Sequence, residues 1–330
     1  MIYKHISTAV DEFNLYTDDR RKGKALSLYT KKSKLNKSID GFNWGRIYTL
    51  AGLSGSGKSI TVEEIKRDLC DINPKEEFDV LSFEFEMLAV DQIARNVSGR
   101  IQKSVEALYS ADKQYLSDKD YAEVLKASEV LKKYPIYYVD TIGTVHDIKD
   151  TILSFVIENN IKERNRGLIV TLDHILLTRG KMGESEKVTL DAVMHMFVEL
   201  KKQFSSIGVK IMFIVLSQLN RDIEKQDRVM NSLFHYPTKN DLFAASSVYY
   251  CSDVVIILHK PLVVEGIGKF YGPPRAGYPK GLPISTEENK PMIYWHIIKS
   301  RFGQNQILMM VDDFANSRVL EYVPPQKSSS

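Results

Sequence analysis

Residues 52–59 read GLSGSGKS, three glycines closing on a lysine and a serine. Gly52, four residues, then Gly57-Lys58-Ser59 is a complete phosphate-loop spacing. In such a loop backbone N–H groups cradle phosphates, the lysine reaches the β- and γ-phosphates, and the serine hydroxyl holds Mg²⁺. Glycine is needed because the chain must turn tightly and let its backbone approach an anion. The residues expected around bound ATP are Gly52, Ser54, Gly55, Ser56, Gly57, Lys58, Ser59 and Ile60. An ordinary Gly/Ser turn is the competing reading. The flanks oppose it: RIYTLAG before the loop reads as a strand and SITVEEIKRDLC after it as a helix.

Three further polar groups stand where such a site needs them. GLIVTLDH places Asp173 at the carboxyl end of a buried strand, where open α/β sheets present ligands. There it would hold Mg²⁺ together with Ser59; the plainer alternative is a helix cap. In DVLSFEFEM (79–87), alternation sends Glu84 and Glu86 to one face, so the pattern leaves either as the base that positions the attacking water. VLSQLNR ends another strand on Gln218, an amide suited to sense a γ-phosphate, or simply a solvated strand end.

These groups need a scaffold that brings strand ends together. From residue 46 onward apolar strand-like runs alternate with helical patterns, at 79–87, 136–140, 167–173, 210–218 and 253–260. Buried strands with helical crossovers predict an α/β fold, a mainly parallel central sheet with helices on both faces. The last two runs, 292–300 and 306–313, are separated by RFGQN alone, which predicts a C-terminal antiparallel hairpin. Residues 261–290, dense in Pro and Gly, read as a long surface excursion. Residues 1–22 read as a helix with Ile6, Val10, Phe13 and Tyr16 on one face, and the end of the chain, PPQKSSS, as a disordered tail.

Composition narrows the class. A chain of 330 residues with 43% hydrophobic residues builds a core without disulfides. A net charge of +3 does not announce a nucleic-acid binder, so such a claim must rest on local loops. Cys70 and Cys251 lack metal-ligand spacing, and with no signal peptide and no apolar run of membrane-spanning length the expectation is a cytoplasmic protein with no membrane partner.

The order of these motifs resembles the ATPase domain of DnaB-type replicative helicases, a branch of the RecA-like phosphate-loop fold. SIDGFNWGRIYTLAGLSGSGKS is similar to that family's entry into its phosphate loop, and LSFEFEM to its strand ending in Phe-Ser-Leu-Glu-Met, which favours Glu86 over Glu84. LIVTLDHILL resembles its Walker B strand, with His174 where a tyrosine is usual, and LSQLNR its fifth-strand motif. IIKSRFGQNQ resembles its late Lys-x-Arg-x-Gly hairpin, which implies that Lys299 and Arg301 enter the neighbouring subunit's site and stabilise charge on the γ-phosphoryl group. The usual Asp-Leu-Arg-Glu-Ser-Gly segment corresponds to DLFAASS, keeping Asp241 and Leu242 but losing the Arg, Glu and Gly.

The resemblance implies residues 1–29 as a helix and linker docking on a neighbouring subunit, 30–322 as the ATPase domain, and 323–330 as tail. No counterpart of the family's amino-terminal primase-recruiting domain is read in the chain, which fits a compact, bacteriophage-type form acting in the host cytoplasm. The implied partners are single-stranded DNA, further copies of the chain in a ring, a hexamer by analogy, and a primase or helicase loader. The loops after the fourth and fifth strands would line the central channel, with Arg179 and Lys181 on the first and Arg221, Lys225 and Arg228 on the second as DNA contacts. Two rivals share the fold: a recombination protein forming filaments on single-stranded DNA, and a regulatory ATPase ring that is not a motor.

Overall fold

The computed structural model describes residues 3–112 and 114–323. All but the first residue of the expected tail lies outside them. Helices α1 (Ile6–Arg21) and α2 (Ser33–Ile39) lead into β1 (Ile47–Gly52) and α3 (Lys58–Ile72). Then come β2 (Phe78–Glu84), α4 (Ala89–Ile101), α5 (Val105–Tyr109), α6 (Asp118–Leu131), β3 (Ile136–Val139), α7 (Val145–Glu158) and β4 (Gly167–Asp173). The core closes with α8 (Glu186–Ser206), β5 (Lys210–Gln218), the short helices α9 (Gln226–Val229) and α10 (Ala245–Cys251), and β6 (Val254–His259). A ribbon of β7 (Phe270–Tyr271) and β8 (Leu282–Pro283) precedes β9 (Met292–Ser300), β10 (Gln306–Asp313) and β11 (Arg318–Glu321).

Nine strands form one sheet in the order β11-β10-β9-β6-β1-β5-β4-β2-β3. The strands from β6 to β3 run parallel, and β9, β10 and β11 continue the sheet antiparallel. Alternation along the strands divides their side chains between two cores. Met212, Ile214 and Leu216 of β5 join Val62, Ile65 and Leu69 of α3 on one face. Ile211, Phe213 and Val215 join Ile152 of α7 and Leu190, Phe197 and Leu200 of α8 on the other. With both faces covered, the strands must be apolar throughout, which is why they read as continuous runs.

One sequence expectation changes here, and one alternative is narrowed. Residues 261–290 are more than a surface excursion: Tyr271 and Leu282 are fully buried and build a third small core with Met292, Tyr294 and Val311. The small ribbon seats these two apolar side chains within a Pro/Gly-rich stretch, a pattern too short to register as a strand. Conversely, α1 forms over the expected residues yet buries nothing; Ile6 is 73% and Phe13 65% exposed. Arg20 ties its end to the body through Asp40 (3.0 Å) and the Ser27 hydroxyl (2.8 Å). No described helix is long and apolar enough to cross a membrane.

Candidate active site

The site is built where β1, β2, β4 and β5 end together. Gly52 lies in register with Gln218, and Glu84 with Asp173, so one row of strand termini carries the polar groups picked out from the sequence. A side chain at Gly52 would collide with the Ser56 hydroxyl and the Leu258 carbonyl. Gly57, at φ +87°, caps α3 in the left-handed region and faces the Phe314 ring so closely that no Cβ fits. The loop from 52 to 57 therefore turns its backbone inward and ends at the amino terminus of a 15-residue helix, a favourable place for an anion.

Lys58 folds back onto this loop, its Nζ donating to the carbonyls of Gly52 (3.0 Å) and Leu53 (2.9 Å). Burial pulls its ammonium below the usual lysine range, and the nearby Asp173 and Glu86 carboxylates push back. Asp173 is buried and its Oδ1 has no hydrogen-bond partner. Burial, then the charge of Glu84, raise its pKa to about 7 against the help of the Ser59 hydroxyl. A buried carboxylate this poorly satisfied, beside a hydroxyl, fits a hard divalent cation with oxygen ligands. Ser59 and Asp173 thus meet the chemistry expected for Mg²⁺.

The two candidate bases separate sharply. Glu84 is buried and bound on both oxygens, taking Lys66 Nζ at 2.8 Å and Gln92 Nε2 at 2.7 Å. Lys66 also bonds the Ser82 hydroxyl (2.7 Å) and pairs with Glu63; burial alone would lower its pKa, but the two carboxylates more than reverse that. Glu84 therefore clamps β2 to α3 and α4. Glu86 lies past the end of β2, exposed and close enough to affect both Lys58 and His174. Sequence alternation treated the two acids alike because it ignored where the strand stops and that Lys66 waits on the facing helix.

His174 was singled out only as a departure, but it bridges two strand ends. Leu176 N–H donates to its Nδ1 (3.2 Å). Burial holds the imidazole below its ordinary pKa, and its Nε2 sits 3.0 Å from Gln218 Nε2, which joins the end of β4 to the end of β5.

The remaining residues lie elsewhere. Arg179 and Lys181 are exposed on the loop after β4, whose root is pinned by the Arg179 N–H on the Gly143 carbonyl (2.9 Å). Arg221 is exposed, and Lys225 pairs with Asp222 at 2.6 Å. Arg228 turns inward: it pairs with the buried Asp241 and donates to the carbonyls of Phe234 (3.2 Å) and Tyr236 (3.3 Å). These bonds hold the loop together, so Arg228 has a structural task where the sequence reading expected a DNA contact. The signal was Asp241, the acid that DLFAASS keeps from the family's segment, 13 residues after Arg228.

Lys299 and Arg301 occupy the opposite end of the sheet. Ser300 pairs with Val254, the first residue of β6, whereas Gly52 sits against Leu258 near its last. At about 3.3 Å per residue along the strand, that puts Lys299 roughly 10 Å and Arg301 roughly 17 Å from the chain's own phosphate loop. Lys299 Nζ donates to the Tyr249 carbonyl (2.5 Å), and the Arg46 guanidinium packs 3.8 Å over the Phe302 ring at the hairpin tip.

Solved structures share this fold. One solved structure, an ATPase domain, is 15% identical with a TM-score of 0.73, covering 95% of this chain and 99% of its own. A DnaB-like replicative helicase, solved in a study of its interactions with primase, is 14% identical with a TM-score of 0.71, covering 98% of this chain and 68% of that one. A KaiC-like protein from the hyperthermophilic archaeon Pyrococcus horikoshii is 13% identical with a TM-score of 0.51, covering 90% and 98%. At these identities the likeness shows the fold alone, the RecA-like α/β arrangement. No curated protein matches the chain significantly. The DnaB-like helicase C-terminal domain family, however, matches residues 27–311. The chain belongs to the DnaB-like helicase C-terminal domain family.

Proposed function

We propose that the chain is the ATP-hydrolysing motor of a ring-shaped replicative DNA helicase, translocating on single-stranded DNA and excluding the second strand of a duplex. One observation carries this reading. The phosphate-binding residues meet at the carboxyl end of the sheet, while Lys299 and Arg301 stand at its amino end. A site of this kind is completed by a second copy, and repeated head-to-tail contacts close into a ring when the rotation allows.

Each residue then has a task. The loop from Gly52 to Gly57 cradles phosphates, Lys58 leaves its two carbonyls to meet the β- and γ-phosphates, and Ser59 with Asp173 holds Mg²⁺. That ion neutralises phosphate charge when bound. Glu86, unpaired by any neighbour among the described residues, orients the attacking water and accepts its proton. Gln218, steadied by His174, reports the γ-phosphate to the loop from 219 to 244. Arg301 of the adjacent copy, aided by Lys299, stabilises charge that grows during transfer. The exposed stripe of α1 suits docking on that neighbour, and the similar helicase studied for its interactions with primase suggests a primase as partner.

The test is strand displacement on a forked duplex with ATP and Mg²⁺. The wild-type protein should unwind it, and Glu86→Gln should bind nucleotide yet lose roughly 10²–10⁴-fold in turnover because an amide cannot take the proton. If Glu84→Gln alone has that effect, the wrong carboxylate has been chosen. Turnover indifferent to DNA, with no DNA binding, would favour the regulatory-ring rival; open filaments in place of closed rings would favour the recombination rival.

A narrower prediction concerns the DNA path. Arg179 and Lys181 are exposed and form no ion pair among the described residues. If each meets one phosphate, replacing both by Ala should reduce the slope of log affinity against log salt by about 1.4 for single-stranded DNA. A fluorescence-anisotropy series across salt concentrations reads this directly, and an unaltered slope moves the path to another loop.

A further inference from the structure

The carboxylate of Asp253 is fully buried at the amino end of β6, immediately before Val254. Its Oδ2 accepts from the Ile47 backbone N–H and from Lys201 Nζ, both at 2.9 Å. Its Oδ1 faces Arg301 Nη1 at 3.2 Å, close enough to pair but not aligned as a hydrogen bond. The Asp253 backbone carbonyl accepts from the Arg301 N–H at 3.1 Å. Arg301 is thus tied to one residue twice, through its main chain and its charge.

The strand geometry makes this attachment specific. A register shift between Val255 and Ile256 leaves Ile298 as an extra residue in β9, so Lys299 comes to lie opposite Val255 and Ser300 opposite Val254. Such a bulge re-aims the side chains beyond it, and here it delivers Arg301 to Asp253. Around that single carboxylate gather three cations, Lys201, Lys299 and Arg301, which act on one another through space. Lys201 is mostly buried, whereas the Arg301 side chain is 48% exposed.

We propose that Asp253 is a positioning residue for Arg301, holding its guanidinium at the edge of each subunit in the orientation the neighbour's nucleotide requires. The proposal rests on the reading of Arg301 as acting in trans. Nη1 faces Asp253 and Nη2 donates one long bond to the Tyr250 carbonyl at 3.5 Å, which leaves N–H groups available to phosphoryl oxygens. Without the carboxylate charge, Lys201 and Lys299 repel the arginine, and its exposed side chain has no other acid paired with it among the described residues.

Asp253→Asn keeps the shape and an acceptor for Ile47, and removes the charge. The expected result is a loss of about 100-fold in kcat for ATP hydrolysis, the scale of a small misplacement of a reacting group, with KM for ATP changed by no more than about twofold. A general folding defect would move both and would abolish nucleotide binding. Complementation then assigns the residue to its side of the interface. Mixed with Lys58→Ala under subunit exchange, Asp253→Asn should regain activity, because its intact site meets an intact Arg301; mixed with Arg301→Ala it should stay inactive. Asp253→Ser is the second variant and should behave the same way. Wild-type kcat in Asp253→Asn, or no recovery with Lys58→Ala while Arg301→Ala does recover, overturns the proposal. Failure of both Asp253 variants to assemble also overturns it, making Asp253 a folding residue. If Arg301→Ala itself fails to recover with exchange demonstrated, and a Lys58→Ala and wild-type mixture shows that one dead site is tolerated, the trans reading falls, and this proposal with it.

Discussion

Lys58→Ala should abolish ATP turnover, with a fall of at least about 10³-fold, because a preorganised donor facing the transferred phosphate is lost from a water-poor site. Lys58 is the natural place for so large an effect. Its ammonium is already desolvated and donates to the carbonyls of Gly52 and Leu53, partners it must exchange for phosphate oxygens. The fold should survive. Position 58 opens α3, where alanine is the most favourable helix residue, and the lost carbonyl contacts are worth on the order of 1 kcal/mol. The cost of burying the cation disappears with it. Steady-state turnover, nucleotide binding and thermal unfolding together check the prediction. A normal ATPase rate in a folded Lys58→Ala protein would remove the phosphate-loop assignment and everything built on it.

Much of this site was legible in the sequence because the relevant signals are local. The phosphate loop needs glycines within eight residues, and β5, β9 and β10 fall on the residues expected, 210–218, 292–300 and 306–313, since fully covered strands are unbroken apolar runs. What stayed hidden depends on partners far along the chain. Glu84 is distinguished from Glu86 by Lys66, and Arg228 is withdrawn from solvent by Asp241; neither pairing leaves a periodic trace. β11 was missed because its four residues, RVLE, include two charged ones, and it is recognisable only once Val319 is seen buried beneath α3. Tyr271 and Leu282 were hidden because each lies in a two-residue strand among turn-formers.

Glycines and acids at strand ends bear on what the site binds, and Arg301 offers the test of how many chains it takes. Arg301→Ala should lose about 10³–10⁵-fold in hydrolysis while still binding nucleotide, since a finger is needed chiefly as charge develops in transfer. Lys58→Ala fails for the opposite reason: its own site is dead, but its Arg301 remains able to serve a neighbour. Mixing the two inactive proteins under subunit exchange creates interfaces with an intact Lys58 on one side and an intact Arg301 on the other. ATPase activity should therefore return in the mixture. A residue serving its own site could not produce that result, and the position of Arg301 at the far end of β6 from the phosphate loop argues that it does not serve its own site. If subunits demonstrably exchange and no activity returns, either Arg301 acts within its own chain or the ring stops at a single dead site. Titrating Lys58→Ala into wild type separates those outcomes: a fall in proportion to the dead fraction leaves only the first, and a much steeper fall points to the second.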